Sequence, residues 1–174
     1  MTREQLEHIL RAASAITGAD RLVIIGSQAI LGQYPDAPRE LLASMEVDVF
    51  SLRAADDTDL IDGSIGEESP FHHTFGYYAH GVGIETAVLP TGWQDRLIAV
   101  QSESTGDAIG MCLEVHDLAV SKLAAGRPKD LDFVAGLFRH RLAAADTVKE
   151  RLADTEMSDE IRNLCLGRLT RASN

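Results

Sequence analysis

The chain has 174 residues and a mass of 18.9 kDa, which predicts one domain over residues 1–174 with a core of its own. Its 45% hydrophobic and 25% charged residues exclude collagen-like, fully disordered and disulfide-scaffold proteins. The formal net charge of −11 disfavours a broad nucleic-acid or anionic membrane surface as a partner, because both surfaces are negative.

Cysteine use and hydropathy indicate a cytoplasmic protein with no membrane partner. Cys112 and Cys165 lie far apart in the sequence, so we expect free thiols in a reducing compartment and no zinc motif. The longest aliphatic run, Leu22 to Ile25, is far below the ~20 residues that span a bilayer. The polar N-terminus shows no secretory pattern.

The first elements in chain order are a helix, a strand and a turn. Apolar residues at helical spacing predict a helix from Thr2 to Ala15, with Gly18 as its C-cap. The β-branched run Leu22 to Ile25 predicts a buried strand, and Gly26-Ser27 a turn into a second helix.

An alternating segment follows. Met45 to Leu52 predicts a strand with Val47 and Val49 on one face and the carboxylates of Glu46 and Asp48 on the other. Residues 53–70, with six acids against one arginine, predict a solvated helix or loop.

A hairpin is predicted next, and the rest of the chain is mostly helical. Phe75 to Tyr78 and Val82 to Leu89 have strand patterns joined by His80-Gly81, which would put Glu85 opposite an aliphatic face. A further strand is predicted at Leu97 to Gln101. Helical periodicity covers Leu113 to Ala125, Leu131 to Ala145, Thr147 to Ala153 and Asp159 to Arg171.

This order of elements predicts the α+β class: a small mixed β-sheet flanked by helices, with a helical C-terminal half. The sheet core should occupy residues 20–110 and the helical part residues 113–174. Gly81-Val82-Gly83 lacks the third glycine of a dinucleotide-binding loop, and the chain contains no P-loop string.

Three features carry possible phosphate and metal chemistry. Gly26-Ser27 begins a predicted helix, whose free amide groups attract phosphate, although Ser27 also suits a simple N-cap. Glu46 and Asp48 lie at i and i+2, about 6.5–7 Å apart along one strand face, where carboxylates can share Mg²⁺. Glu85 is a candidate third ligand or base; for all three acids an exposed, solvated strand face is the alternative.

A fourth feature is a local excess of positive charge in this acidic chain. Lys122 projects from an apolar helical face and either reaches a phosphate or lies at the core edge with its ammonium in solvent. Arg127 and Lys129 follow it, and Asp130 is either an ion-pair partner or a site residue. His72, His73 and His80 do not make a convincing zinc site, because neighbouring strand residues point apart and a loop histidine is usually just polar.

Taken together, the motifs resemble the nucleotidyltransferase superfamily of DNA polymerase β type, and more closely the small bacterial proteins related to AbiEii abortive-infection toxins. The resemblance covers residues 22 to about 140 and rests on these segments: Gly26-Ser27-Gln28-Ala29-Ile30-Leu31, Glu46-Val47-Asp48-Val49-Phe50, and Lys122 with Arg127, Lys129 and Asp130. The family usually places Asp first in the acid pair, whereas Glu46 stands here.

The resemblance implies binding of an NTP and Mg²⁺ and transfer of a nucleotidyl group to an acceptor, sometimes within a toxin–antitoxin pair. Gly26 and Ser27 would hold the triphosphate, Glu46 and Asp48 the metal, and Lys122 the phosphates together with Arg127 and Lys129. The acceptor is open between a tRNA end, a protein and a small molecule, and a cognate protein partner is possible. Two alternatives remain: a catalytically degenerate member that binds nucleotide or a protein partner as an antitoxin-type module, and an unrelated α+β domain.

Overall fold

The computed structural model describes residues 1–52 and 57–173, in which five strands form one mixed sheet. The strands are β1 (Arg21–Ile24), β2 (Glu46–Ser51), β3 (Tyr78–Gly81), β4 (Ile98–Val100) and β5 (Ile109–Cys112). Their order is β3-β2-β1-β5-β4. The central strand β1 pairs antiparallel with β2 and parallel with β5, whereas β3 is parallel to β2 and β4 antiparallel to β5.

Helices flank this sheet and make up most of the described chain after β5, which confirms the predicted α+β class with its helical C-terminal half. They are α1 (Arg3–Thr17), α2 (Ile30–Gln33), α3 (Asp57–Ile65), α4 (Pro70–Phe75), α5 (Val115–Ala125), α6 (Pro128–Arg139), α7 (Ala145–Ala153) and α8 (Asp159–Ala172). None of the helices in the described residues combines the length and the apolar character of a membrane span.

Helix α1 shows how local sequence signals set these boundaries. Thr2 accepts a hydrogen bond from the backbone of Gln5, whose side chain binds back to Thr2, so that two free amide groups are satisfied. Gly18 ends the helix in the left-handed conformation, as predicted. The buried face of α1 packs on the sheet: Leu10 lies so close to Gly110 of β5 that a Cβ there would be 2.5 Å from Leu10 Cδ1.

One hydrophobic core joins the sheet to the C-terminal helices. Buried apolar residues of β1 and β2 belong to the same cluster as Leu118 of α5, Leu137 of α6 and Leu152 of α7. Cys112 and Cys165 are both buried and unbridged.

The predicted hairpin is wrong. Phe75 ends helix α4, which begins at Pro70 after the N-cap Ser69 and stops at a left-handed Gly76. The strand β3 that follows runs parallel to β2 instead of pairing with residues 82–89. Those residues form a loop with a 3₁₀ turn at Ile84–Thr86, so Glu85 lies on an exposed turn and not on a strand.

Two smaller elements also differ from the predictions, and one prediction holds in part. After Ser27 the chain makes a 3₁₀ turn, Ser27–Ala29, and then only the four residues of α2, with Gly26 as the N-cap. The predicted full helix N-terminus is therefore absent here. Strand β5 had no predicted counterpart. Of the acidic segment 53–70, residues 53–56 lie outside the described residues, while residues 57–65 form α3, one of the two predicted alternatives.

Candidate functional site

A polar cleft of about 250 Å³ lies where the end of β1, the edge of β2 and the corner between α5 and α6 meet. It collects almost all of the predicted site residues, namely Gly26, Ser27, Glu46, Asp48, Lys122, Arg127 and Lys129. Glu85 is not among its lining residues, because the loop that replaces the predicted strand turns it toward solvent. The sequence motifs, spread over about 100 residues of chain, thus converge on one surface of the protein.

The acidic wall of the cleft is built by strand register. Antiparallel pairing brings the first half of β2 beside the end of β1, and the amide of Ile25 donates to the carbonyl of Asp48 at 3.2 Å. Alternation along β2 buries Val47 and Val49 in the core and turns Glu46 and Asp48 into the cleft. The predicted facing of this strand is confirmed.

His80, on the neighbouring strand β3, lies beside the two carboxylates of β2. Parallel pairing places His80 opposite Asp48 and Tyr78 opposite Glu46. The Nδ1 atom of His80 lies 3.2 Å from Glu46 Oε1 and 3.4 Å from Asp48 Oδ1. The interpretation of His80 as a loop residue is therefore wrong, and the signal that identifies it is the pairing of β3 with β2.

Tyr78 supports the acidic wall through Glu46: its hydroxyl donates to Glu46 Oε2 at 3.2 Å. Burial, followed by the negative charge of Glu46, raises the pKa of Tyr78 to about 12, so the phenol keeps its proton as a donor at neutral pH. This bond occupies one oxygen of Glu46 and holds the carboxylate in place. The other oxygen faces His80.

Gly26 makes room for the Asp48 carboxylate. A Cβ at Gly26 would lie 1.9 Å from Asp48 Oδ2, a distance that no real side chain tolerates. From the sequence, Gly26 is predicted to hold the triphosphate together with Ser27. In the structure, the group that approaches it is the carboxylate of the acid pair.

The charge of Asp48 is poorly compensated in the free protein. Burial raises the pKa of the Asp48 carboxyl, and the nearby Glu46 carboxylate raises it further. Lys122 and His80 act in the opposite direction without cancelling the rise. A cation bound between these acids would relieve their repulsion.

The opposite, basic wall of the cleft carries Lys122, Arg127 and Lys129. One buried acid, Asp130, holds the side chains of the first two in place. Asp130, only 1% exposed, accepts hydrogen bonds from Lys122 Nζ at 3.0 Å and from Arg127 Nε at 2.6 Å. Burial opposes the ionisation of Asp130, but these bonds and charges hold the pKa of its carboxyl below the ordinary value. Asp130 is therefore the ion-pair partner of both cations.

Local sequence explains how these cations are presented. Lys122 lies in the last turn of α5, with its Nζ 5.7 Å from the ring centre of Phe133 in α6. Gly126 ends α5 in the left-handed conformation, and Pro128 starts α6 two residues later, so Arg127 sits at the corner. The Arg127 side chain is 59% exposed, and the residue lines the cleft.

The last helix supports this corner. Arg168 of α8 donates to the carbonyl oxygens of Leu123 and Ala124 in the last turn of α5. Its guanidinium also packs on Gly126, where a Cβ would lie 2.1 Å from Arg168 Cζ. Free carbonyl groups at the end of α5 are thereby satisfied by a cation.

A second cavity of about 600 Å³ opens beside the cleft. The two share Ser27, Ser44 and Lys129, and the second one extends to Phe133 and Arg139. Together they give the site a continuous polar and partly aromatic surface next to the acid pair.

The donor set fits a divalent cation. Glu46, Asp48 and His80 each offer one ligand atom, and the three atoms lie within 4.8 Å of one another. Carboxylate oxygens are the ligands that hard divalent cations prefer, and imidazole is a common ligand of transition metals. Within residues 1–52 and 57–173, this cluster holds no third carboxylate.

Comparison with known families agrees with this geometry. A family model described as "Nucleotidyltransferase of unknown function (DUF6036)" matches residues 4–164. The chain belongs to the DUF6036 family. The nucleotidyltransferase resemblance of the sequence motifs is confirmed at this level, and the DUF6036 match covers both walls of the cleft. Neither the comparison with curated proteins nor the comparison with solved structures gives a match.

Proposed function

We propose that this protein is a Mg²⁺-dependent nucleotidyltransferase that moves a nucleotidyl group from an NTP to an acceptor. The observation that carries the proposal is the cleft itself, where an acid pair faces fixed cations across a space of about 250 Å³. In the reaction the oxygen of an acceptor hydroxyl forms a bond to the α-phosphorus and its proton passes to water, while the α–β phosphoanhydride bond breaks and pyrophosphate leaves. Family membership supports this class of reaction.

The acidic wall has the role of holding the cation. Glu46 and Asp48 would be its ligands, and Tyr78 keeps the Glu46 carboxylate in a fixed orientation through its hydrogen bond. A bound Mg²⁺ would supply charge neutralisation at the triphosphate and polarise the α-phosphate. Since Gly26 leaves space for Asp48, the acid reaches the cleft without displacing the β1–β2 pairing.

The basic wall has the role of holding the phosphates. Lys122 and Arg127 present fixed donors, and Asp130 orients them before a ligand arrives, which lowers the entropy cost of binding. Lys129 and the hydroxyl of Ser27 line the same space. Their positive charge would stabilise the negative charge that leaves with pyrophosphate.

Calorimetric titration with the four NTPs in the presence of Mg²⁺ tests the binding part of the proposal. We compare the wild-type protein with Asp48→Asn, and with Asp59→Asn as a matched loss of an exposed acid on α3. The wild type and Asp59→Asn should bind an NTP equally, and Asp48→Asn should bind at least about tenfold more weakly. Equal binding by all three proteins would contradict the assignment of the acid pair.

Transfer is then measured with an α-labelled NTP and three acceptor pools: tRNA, protein and small molecules. Label in one pool together with pyrophosphate release identifies the acceptor class. Saturable NTP binding with no transfer to any pool would favour a catalytically degenerate nucleotide-binding module. Capture of a protein partner without nucleotide binding would favour an antitoxin-type module.

The AbiEii-like toxin role is part of the same proposal and has its own test. Expression of the wild-type chain in a bacterial host should arrest growth, whereas Asp48→Asn at the same protein level should not. Growth arrest by both proteins would show that toxicity does not depend on the acid pair.

A further inference from the structure

We infer that His80 is a third ligand of the cation in the cleft, and that the site therefore prefers a first-row transition-metal ion such as Mn²⁺ to Mg²⁺. This inference rests on the proposed function and refines it: Mg²⁺ would still support the reaction, while a first-row transition-metal ion would bind the same site more tightly. It rests on three features of the structure: strand register, ligand distances and the chemistry of the donor atoms.

Register makes His80 a fixed member of the acid face. Residues Tyr78 and His80 of β3 are paired with Glu46 and Asp48 of β2, so these four side chains share one face of the sheet. Ala79, between them, is buried on the other face. A shift of one residue in β3 would bury His80 and expose Ala79, so the pairing specifies the position of the imidazole.

Distances make His80 competent to bind the same ion as the two acids. Its Nδ1 atom is the one that faces them, at 3.2 Å from Glu46 Oε1 and 3.4 Å from Asp48 Oδ1. Ligands of one ion lie at about this separation from each other when each is 2.0–2.3 Å from the metal. The Tyr78 hydroxyl occupies the other oxygen of Glu46, which leaves Oε1 directed toward His80.

The donor atoms then select the ion. Mg²⁺ takes oxygen ligands almost exclusively and binds nitrogen poorly, whereas first-row transition metals accept imidazole together with carboxylate. In the described part of the chain, the place of a third carboxylate in this cluster is taken by an imidazole nitrogen. A site with two oxygen ligands and one nitrogen ligand therefore favours Mn²⁺ over Mg²⁺.

A structural role for His80 makes a different prediction. Imidazolium between two carboxylates would stabilise the acid pair without touching a metal, and its removal would then affect the affinities for Mn²⁺ and Mg²⁺ equally. The experiment must separate a nitrogen–metal bond from this ion pair.

Pulsed electron paramagnetic resonance of Mn²⁺ bound to the full chain gives that separation, because a directly bound nitrogen produces a hyperfine coupling. The wild-type protein and His73→Ala, which removes an exposed histidine on α4, should both show the coupling. His80→Ala and His80→Asn should lose it. Mn²⁺ bound to the wild type without nitrogen coupling would overturn the inference, and this result needs no variant.

Affinities measured by titration of the metal ions alone complete the test. His80→Ala should weaken Mn²⁺ binding by about tenfold or more and Mg²⁺ binding by less than about threefold. Equal losses for the two ions would overturn the inference in favour of the ion pair. Circular dichroism of each variant establishes that it is folded.

The outcomes for His80 and for the proposed function are distinct. Transfer activity with Mg²⁺ but no nitrogen coupling would refute only the role of His80. Nitrogen coupling without NTP binding would support the metal site and refute the transferase. Failure of the wild type to bind either ion would refute both.

Discussion

Gly26→Ala is expected to destabilise the protein, because the new methyl group and the Asp48 carboxylate need the same space. The added Cβ would lie 1.9 Å from Asp48 Oδ2 and 2.8 Å from Cγ, whereas ordinary van der Waals contact begins at 3.4 Å. The backbone is not the obstacle, since φ −80° and ψ −171° at Gly26 are extended values that alanine adopts. The cost comes from moving the carboxylate.

The expected size follows from two opposing effects. Overpacking at a buried position costs about 1–3 kcal/mol, and alanine in place of glycine at a compatible backbone position returns about 0.4–1 kcal/mol through the unfolded state. We expect the free energy of unfolding to fall by about 1–2 kcal/mol. Cation affinity should fall as well, because Asp48 is displaced from Glu46 and His80.

Urea unfolding measures this change, and two further proteins locate its cause. Gly63→Ala in α3 is the matched control: nothing lies within 4 Å of its added Cβ, so it should stabilise the protein by about 0.5–1 kcal/mol. In an Asp48→Ala background the contacts with Oδ2 and Cγ disappear and the contact with the Cβ of residue 48, at 3.1 Å, stays. Gly26→Ala should then cost at least about 1 kcal/mol less than it does in the wild type. An equal loss in both backgrounds would refute the reasoning, because the clash would not involve the carboxylate.

Three other predictions concern stability. Asp130→Asn should lower the free energy of unfolding by about 3 kcal/mol, because it leaves the ammonium of Lys122 buried without an opposite charge. Since the pKa of Asp130 is depressed in the folded protein, its carboxylate stabilises the wild type above the pKa that an aspartate has in the unfolded chain. Urea midpoints should therefore fall on acidification more in the wild type than in Asp130→Asn. Burial lowers the pKa of His8, whose Nδ1 lies 2.7 Å from the Tyr77 hydroxyl. Because the unfolded chain then takes up a proton more readily than the folded protein, the wild type should lose stability as pH falls below about 6.5. A His8→Asn protein that loses as much stability over the same range would show that His8 is not the cause. Ser158→Ala removes the N-cap of α8 and should cost about 1 kcal/mol in thermal unfolding; no change would show that water replaces the cap.

Local sequence patterns were sufficient to predict the elements whose structure depends on a single segment of the chain. Alternation along β2 identified the buried valines and the outward-facing Glu46 and Asp48, and glycine and cap signals located α1. The lysine at position 122 and its basic neighbours were also identified from helical spacing and charge, and the structure places them opposite the acids. Their roles in binding remain predictions.

Pairing between distant segments could not be predicted in the same way. Residues 82–89 alternate like a strand, yet they form a loop in which Ile84 and Val88 are exposed. Within the described residues β3 is an edge strand that pairs with β2, and residues 82–89 do not add a strand beyond it. His80 enters the site only through this pairing. Strand β5 escaped prediction because Gly110 and Met111 interrupt its β-branched character, and the glycine is needed where Leu10 of α1 packs.

The contact of Arg168 with the end of α5 connects helix α8 to the basic wall of the cleft. Arg168 follows the last residue of the family match, residue 164, yet its guanidinium binds the two carbonyl groups next to the corner that carries Arg127. Helix α8 thus holds the corner between α5 and α6 in place, and without α8 this corner would be free to move. A chain shortened after residue 164 would keep every residue of the cleft and still lose the rigid spacing between its acidic and basic walls.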